Sequence, residues 1–290
     1  MPRDTRNLHQ IQDHPTSPFA ALMRKRNLVI LVVCVILASL VLRRLPGIDL
    51  AVSGYFYDHG FTATGNEALR SIRTTSITLT KFIGAGLVLL WLYRLLRPAA
   101  NRCISFAKLA FPTLVLLLGP LVLTNLILKD QWGRPRPREL ALFGGDATYI
   151  APWDFSDQCL RNCSFVSGET SSAIWLLTFI PFLPVVWHRS ALVVVFGYTL
   201  AISLLRIAFG AHFASDVILS ILLNGLVVLW VWGWFFMRDG SMTPRAFANE
   251  TRACGGFEHY GRGLRALEQK VLPPLRLAYS RVMDKVRQIS

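Results

Sequence analysis

The sequence predicts an all-α integral membrane protein, a six-span helical bundle whose reactive polar residues gather at one membrane boundary. Three observations predict it. Hydrophobic residues make up 53% of the 290-residue chain, its mean hydropathy is +0.43, and eight tryptophans are present, a composition that soluble domains of this size rarely have. Six stretches are apolar enough to cross the hydrocarbon, where about 17 to 25 helical residues are needed. Basic residues are also unevenly divided between the loops that join those stretches.

Taken in order, residues 1–26 form a polar, aperiodic N-terminal tail and residues 27–237 a six-span unit. The spans are expected at Asn27 to Leu42, Ser76 to Tyr93, Leu109 to Leu128, Thr170 to Trp187, Ser190 to Leu205 and Val217 to Met237. Only the second contains a charge, Lys81. The first and fifth are short and rely on Arg43, Arg44 and Arg206 reaching toward head groups or water. The first follows Arg24, Lys25 and Arg26, but no small-residue cleavage site comes after it, so it reads as an uncleaved anchor. Residues 46–75 form a loop whose aromatics suit the interface. Residues 129–169 form the longest connection, and the prolines of "RPRPREL" stop the preceding helix. Residues 238–290 form a basic C-terminal tail in which Leu275, Tyr279, Val282, Val286 and Ile289 recur at helical spacing, as either a lipid-surface helix or a solvated tail.

With both termini on one side, that side carries 20 of the 31 lysines and arginines, and the positive-inside tendency makes it cytoplasmic. The long connection then faces outward, toward a bacterial periplasm if the membrane is a bacterial inner membrane. A pI near 10.2 is thus chiefly a topology signal, and no nucleic-acid-binding signature accompanies it. Of the five cysteines, Cys159 and Cys163 share the outer connection and are either a disulfide or two free thiols.

Three polar clusters reach that outer face from separate regions of the chain. "KDQWGRPRP" supplies Lys129, Arg134 and Arg136, "VSGE" supplies Ser167, Gly168 and Glu169, and "RIAFGAHFASD" supplies Arg206, His212 and Asp216. Taken singly, Arg134 and Arg138 read as boundary charges, Arg206 as an anchor and His212 as a structural histidine. Together the cations suit a tetrahedral oxyanion, and the N–H groups at Gly168 and Glu169 would add helix-terminus donors. If their stretch is helical, His212 and Asp216 share one face, where the carboxylate would hold the imidazole. This set serves in-line attack of an imidazole on phosphorus with its oxygens held by cations.

These residues resemble the three-part signature of the type 2 phosphatidic acid phosphatase and vanadium haloperoxidase superfamily. Lys129 stands seven residues before Arg136-Pro137, Ser167-Gly168 follows, and Arg206, His212 and Asp216 close the pattern. The resemblance implies that His212 is the nucleophile, that Asp216 orients it, and that Lys129, Arg136, Ser167, Gly168 and Arg206 hold phosphate. It also implies a helical bundle that needs no metal or other cofactor. Three departures stand out: Val166 replaces a proline, Leu205 replaces a serine, and Glu169 stands where the family has the histidine expected to protonate the leaving oxygen. A carboxyl beside a phosphate dianion and partly out of water can hold and deliver that proton, whereas Lys129, Arg136 and Arg206 favour its ionised form.

A site at head-group level favours a membrane lipid as substrate. Glu169 with the paired cysteines is similar to the lipid A phosphatase branch, which implies removal of a 4′- or 1-phosphate. Undecaprenyl pyrophosphate, phosphatidylglycerol phosphate and phosphatidic acid are the alternatives, as are transfer of the phosphate to another lipid and a non-catalytic transporter.

Overall fold

The computed structural model of the chain describes residues 18–96 and 106–236, and among these it is helical without a β-strand. Helix α1 (Pro18–Leu22) is one short turn-and-a-half. Its Phe19 is fully buried and meets Trp232 edge-on at 5.2 Å, with Met23 buried beside it. The N-terminal tail expected to extend to residue 26 therefore gives way to packed structure at Pro18, because two apolar side chains find a core there.

Helix α2 (Lys25–Arg44) runs 20 residues between basic ends, about 30 Å of helix and enough for the hydrocarbon. Val29, Ile36 and Leu37 point outward and are more than half exposed, as side chains bathed in acyl chains should be. Its other side lies along the last helix. Proline 46 then opens α3 (Pro46–Tyr55), where a missing N–H costs nothing. The expected loop at 46–75 thus contains a helix, and that helix buries Asp49 and Ser53. After a turn, α4 (Glu67–Leu96) forms the second long helix.

Helix α5 (Phe106–Leu116) continues in wider π winding over Leu117–Lys129. Pro120 explains the change, since its ring and absent N–H disrupt the ordinary ladder. Asn125 Nδ2 donates to the Pro120 carbonyl at 2.6 Å. The wound segment ends by presenting Lys129.

The fourth apolar stretch is not one continuous α-helix. It comprises α6 (Gly168–Trp175), a tight 3-10 segment over Leu176–Phe182, a break, and a short turn at Val185–Trp187. Thr170, Ser171, Thr178 and Trp175 are all buried, with α5, α7 and α8 packed around α6. Its hydroxyls bond within the protein: Thr170 to Ser203 at 3.1 Å and Ser171 to the Gly168 carbonyl at 2.8 Å. The stretch is the inner post of the bundle. At about 1.5 Å per α residue and 2.0 Å per 3-10 residue, Gly168 to Phe182 covers ~26 Å.

Helices α7 (His188–Ala208) and α8 (Ala214–Phe236) complete the bundle. Among the described residues, five helices are long and apolar enough to cross a membrane: those at Lys25–Arg44, Glu67–Tyr93, Leu109–Lys129, Val185–Ala208 and Ala214–Phe236. The protein is therefore an integral membrane helical bundle. An aromatic core of Phe19, Phe111, Trp175, Trp232 and Phe236 fills one end, while the polar clusters occupy the other. The basic C-terminal segment 238–290, Cys103 and Cys254 lie outside the described residues.

Candidate active site

The site is built where four helix ends and the long connection meet. Helix α5 delivers Lys129 from its last turn, and α6 begins at Gly168 beside it. A methyl group at Gly168 would crowd Asn125 Oδ1 at 3.1 Å and touch Lys129 Nζ at an ordinary 3.5 Å, so the Lys129 ammonium lies beside the start of α6. Ser167 caps this helix, its Oγ accepting from the Thr170 N–H at 3.4 Å and the Thr170 hydroxyl at 3.0 Å. The Ser167 hydroxyl hydrogen remains available as a donor.

Arg206 sits in the last turn of α7 and is almost fully buried. The chain then turns sharply through Gly210, whose φ of +60° and closeness to the Phe61 ring exclude a side chain. His212 follows in this turn, ahead of α8 rather than on it. The expectation that His212 and Asp216 share a helix face is thereby corrected. Asp216 instead reaches back from the first turn of α8, where its Oδ2 accepts from the Phe213 N–H at 2.8 Å, half of a capping box.

That arrangement changes how the imidazole is held. His212 Nδ1 donates to the Ser164 carbonyl at 2.7 Å, and Asp216 Oδ2 is 3.8 Å away. Ser164 joins the two, since its hydroxyl donates to Asp216 Oδ2. With Nδ1 protonated, Nε2 carries the lone pair in the neutral ring. Burial, helped by the charges of Arg206 and Lys129, lowers the pKa of His212 to about 3 against the pull of Asp216. The ring is therefore neutral at ordinary pH.

Arg134 is the largest departure from the sequence reading. It is not a boundary charge but is 1% exposed and lies beneath the histidine. Its Nη1 meets Asp216 Oδ1 at 2.5 Å, its Nη2 meets Asp49 Oδ2 at 2.8 Å, and its Nε donates to the Ile150 carbonyl at 2.8 Å. Asp49 also accepts from the Ser215 N–H at 2.8 Å and the Tyr149 hydroxyl at 3.0 Å. Burial opposes the charge of Arg134, but Asp216 and Asp49 outweigh it and raise its pKa. Tyr149 points into this network, and burial together with Asp49 raises its pKa. Phe155 in the same connection faces outward, 70% exposed and stacked on Trp132 at 4.4 Å.

Arg136 lies on the other side, 8% exposed, with its Nη2 donating to the Asn162 carbonyl. Asn162 stands in the loop closed by Cys159 and Cys163, which are joined as a disulfide with Cα atoms 5.7 Å apart. Burial and then Arg138 lower the pKa of Arg136. Arg138 itself is exposed, as a boundary charge should be.

Glu169 is paired. Its Oε1 is 3.2 Å from Arg206 Nη1 and 3.2 Å from Arg73 Nε. Its Oε2 is buried without a partner, as is Arg206 Nε. The structure thus brings together His212, Lys129, Arg136, Ser167, Gly168, Arg206 and Glu169, with Asp216 behind the histidine. Sequence reading missed Arg73, Asp49 and Ser164. For Asp49 a signal existed, a carboxylate within the apolar run "GIDLAVSGYF"; Arg73 and Ser164 have none. Among the described residues no group of three or more His, Cys, Asp or Glu side chains is placed to hold a metal ion.

Comparison with known proteins adds to this geometry. The pattern that defines the PAP2 superfamily matches residues 109–239. A protein described as "Lipid A 4'-phosphatase" from Rhizobium leguminosarum is 32% identical over 205 residues, 65% of this chain and 87% of that protein. One of the same description from Francisella tularensis subsp. novicida is 32% identical over 180 residues, 60% of this chain and 79% of that protein. Another from Rhizobium etli is 42% identical over 113 residues, 39% of this chain and 44% of that protein. No solved structure gives a significant match. With its signature residues assembled around one buried histidine, this chain belongs to the PAP2 superfamily, among the membrane-bound lipid phosphatases.

Proposed function

We propose that this phosphatase removes a phosphate monoester from lipid A, with its active face on the periplasmic side of a bacterial inner membrane. The observation that carries the chemistry is the buried, neutral His212, whose Nδ1 is committed to the Ser164 carbonyl while its other nitrogen is left with a lone pair. The three relatives described as lipid A 4′-phosphatases favour the substrate and the 4′ position. The uneven division of basic residues favours the orientation.

In this reading Lys129, Arg136 and Arg206 hold the phosphoryl oxygens, with the Ser167 hydroxyl and the Gly168 N–H as further donors. His212 Nε2 attacks phosphorus in line, a P–N bond forms, and the P–O bond to the sugar breaks. The leaving oxygen takes a proton from Glu169, whose partnerless Oε2 is the atom free to carry it. Water then attacks the phosphohistidine, Glu169 recovers the proton, and phosphate leaves. No metal is required in this sequence of steps. Negative charge from Asp216 and Asp49 steadies the ring as it becomes cationic.

The test is phosphate release by the purified protein from a panel of lipids: lipid A, undecaprenyl pyrophosphate, phosphatidylglycerol phosphate and phosphatidic acid. Lipid A is expected to be hydrolysed with the highest kcat/KM, and chelation by EDTA to leave the rate unchanged. A higher value for another lipid would reassign the substrate. Loss of activity in EDTA that one divalent ion restores would refute the metal-free mechanism. Alkaline phosphatase fused after Asp146 should be active in cells, and an inactive fusion there would overturn the orientation.

A further inference from the structure

The signature residues account for Lys129, Arg136 and Arg206, yet a further cation from a helix outside the signature reaches the same site. Arg73 belongs to the second turn of α4, and its Nε pairs with Glu169 Oε1, the oxygen that Arg206 Nη1 also contacts. The two distances of 3.2 Å place these arginine nitrogens no more than about 6.4 Å apart. Their surroundings differ. The Arg206 side chain is 5% exposed and that of Arg73 is 38% exposed, so Arg73 stands on the outer side of the shared carboxylate. Its guanidinium rests against the Phe209 ring, 5.9 Å from the centroid, next to the turn that carries His212.

A positive rim continues outward from there. Arg70 is one helical turn earlier on the same face of α4 and is exposed, as is Arg138 across the site. Arg138 and Arg73 are both close enough to weigh on the charge of Arg136. Glu169 is the one carboxylate among the described residues that pairs with either Arg73 or Arg206. That surplus exceeds what a single phosphate dianion needs, and it lies on the side from which a head group must enter.

We propose that Arg73, held by Glu169, forms a second anion subsite that binds another phosphate or carboxylate on the substrate head group, beside the phosphate being removed. This deepens the reading of the preceding subsection and rests on it. Glu169 fixes Arg73 through Nε, which leaves the two Nη groups to face the entering head group. Arg206, deeper and desolvated, takes the reacting phosphate. Arg73 is then a specificity residue that selects lipids bearing two anionic groups.

The test compares lipid A carrying two phosphates with lipid A carrying only the one removed. Kinetics are measured on wild type, Arg73→Ala and Arg73→Lys. Wild type is expected to prefer the doubly charged lipid in kcat/KM by about five- to tenfold, the range for a partly exposed charge-assisted contact. Arg73→Ala should lose that preference through KM, and Arg73→Lys should keep part of it. No preference in wild type, or an equal fall on both lipids in Arg73→Ala, would overturn the subsite and leave Arg73 as a mere support for Glu169. Binding of the two lipids to His212→Ala, measured in detergent micelles with and without the Arg73→Ala change, gives the same comparison without turnover. Absence of phosphate release by wild type would refute the catalytic reading, whereas equal binding of the two lipids would refute the subsite alone.

Discussion

Two clusters of charge lie on either side of His212, and they are built in opposite ways. Beneath the ring, one guanidinium, Arg134, faces two carboxylates, Asp49 and Asp216, and nearly every polar atom has a partner. Around the reacting face, Arg206 and Arg73 share the carboxylate of Glu169, Lys129 and Arg136 add two further cations, and buried polar atoms are left over. The first cluster is closed and slightly negative; the second is open and strongly positive. A satisfied buried network fixes geometry, while an unsatisfied one waits for a ligand. Between them sits a neutral imidazole that would become cationic on attack, with negative charge behind it and a phosphate site in front.

The histidine joins the two clusters, so its loss should have the largest effect. His212→Ala is expected to slow lipid A hydrolysis by at least about a thousandfold, because the covalent route is gone. Rates near wild type would remove the reason for the whole arrangement.

Next in size is the contrast between two neighbouring arginines. Arg134→Ala strands two carboxylates, and breaking a buried pair in this way costs about 3 to 5 kcal/mol. Thermal unfolding in detergent should therefore show a large loss of stability. Arg136→Ala, by contrast, should weaken phosphate binding and raise KM with a far smaller change in unfolding temperature. Similar unfolding temperatures for the two variants would erase the distinction between a structural and a ligand-binding cluster.

Glu169 sharpens the comparison further. Glu169→Gln keeps the shape but carries no transferable proton, and the rate on lipid A should drop by about a hundredfold or more. On an aryl phosphate, whose leaving group departs unaided, the drop should be much smaller. Equal losses on both substrates would make Glu169 a spacer of Arg73 and Arg206 and assign the proton to water.

The smallest effect is on stability against pH. The pKa of His212 falls to about 3 in the folded protein, against about 6.5 in an unfolded chain. Between those values the unfolded state binds the extra proton, so stability falls as pH falls. From pH 6.5 to 5.5 the loss should be about 1 kcal/mol. Thermal unfolding of wild type and His212→Gln across that interval checks it, and equal slopes would place the titration elsewhere.

Much of the reacting face was legible because its residues belong to short patterns with fixed spacing. Lys129 to Arg136, Ser167-Gly168, and Arg206 to Asp216 all lie at the same end of the bundle. The cluster beneath was not legible, since Arg134 and Asp49 are 85 positions apart and meet only after α3 has folded back. Arg73 and Glu169 are 96 positions apart, and an arginine at the end of a long helix looks like any anchor. In the fourth apolar stretch the apolar run was legible and its winding was not. Its hydropathy suits a span, but Thr170, Ser171 and Thr178 mark a segment wrapped by protein, where hydroxyls find partners and winding can tighten. His212 and Asp216 were placed close for the wrong reason, a shared helix face in place of a helix cap.

The central claim is a phosphoryl group carried on His212, and trapping it is the most direct measurement. Wild-type protein is mixed with lipid A labelled in its 4′-phosphate, quenched rapidly in alkali, and digested for peptide mapping. The account predicts label on the peptide containing His212, stable in alkali and lost in acid, as a phosphoramidate should be, and none in His212→Ala. Label that survives acid, label that persists in His212→Ala, or label on another residue would contradict it.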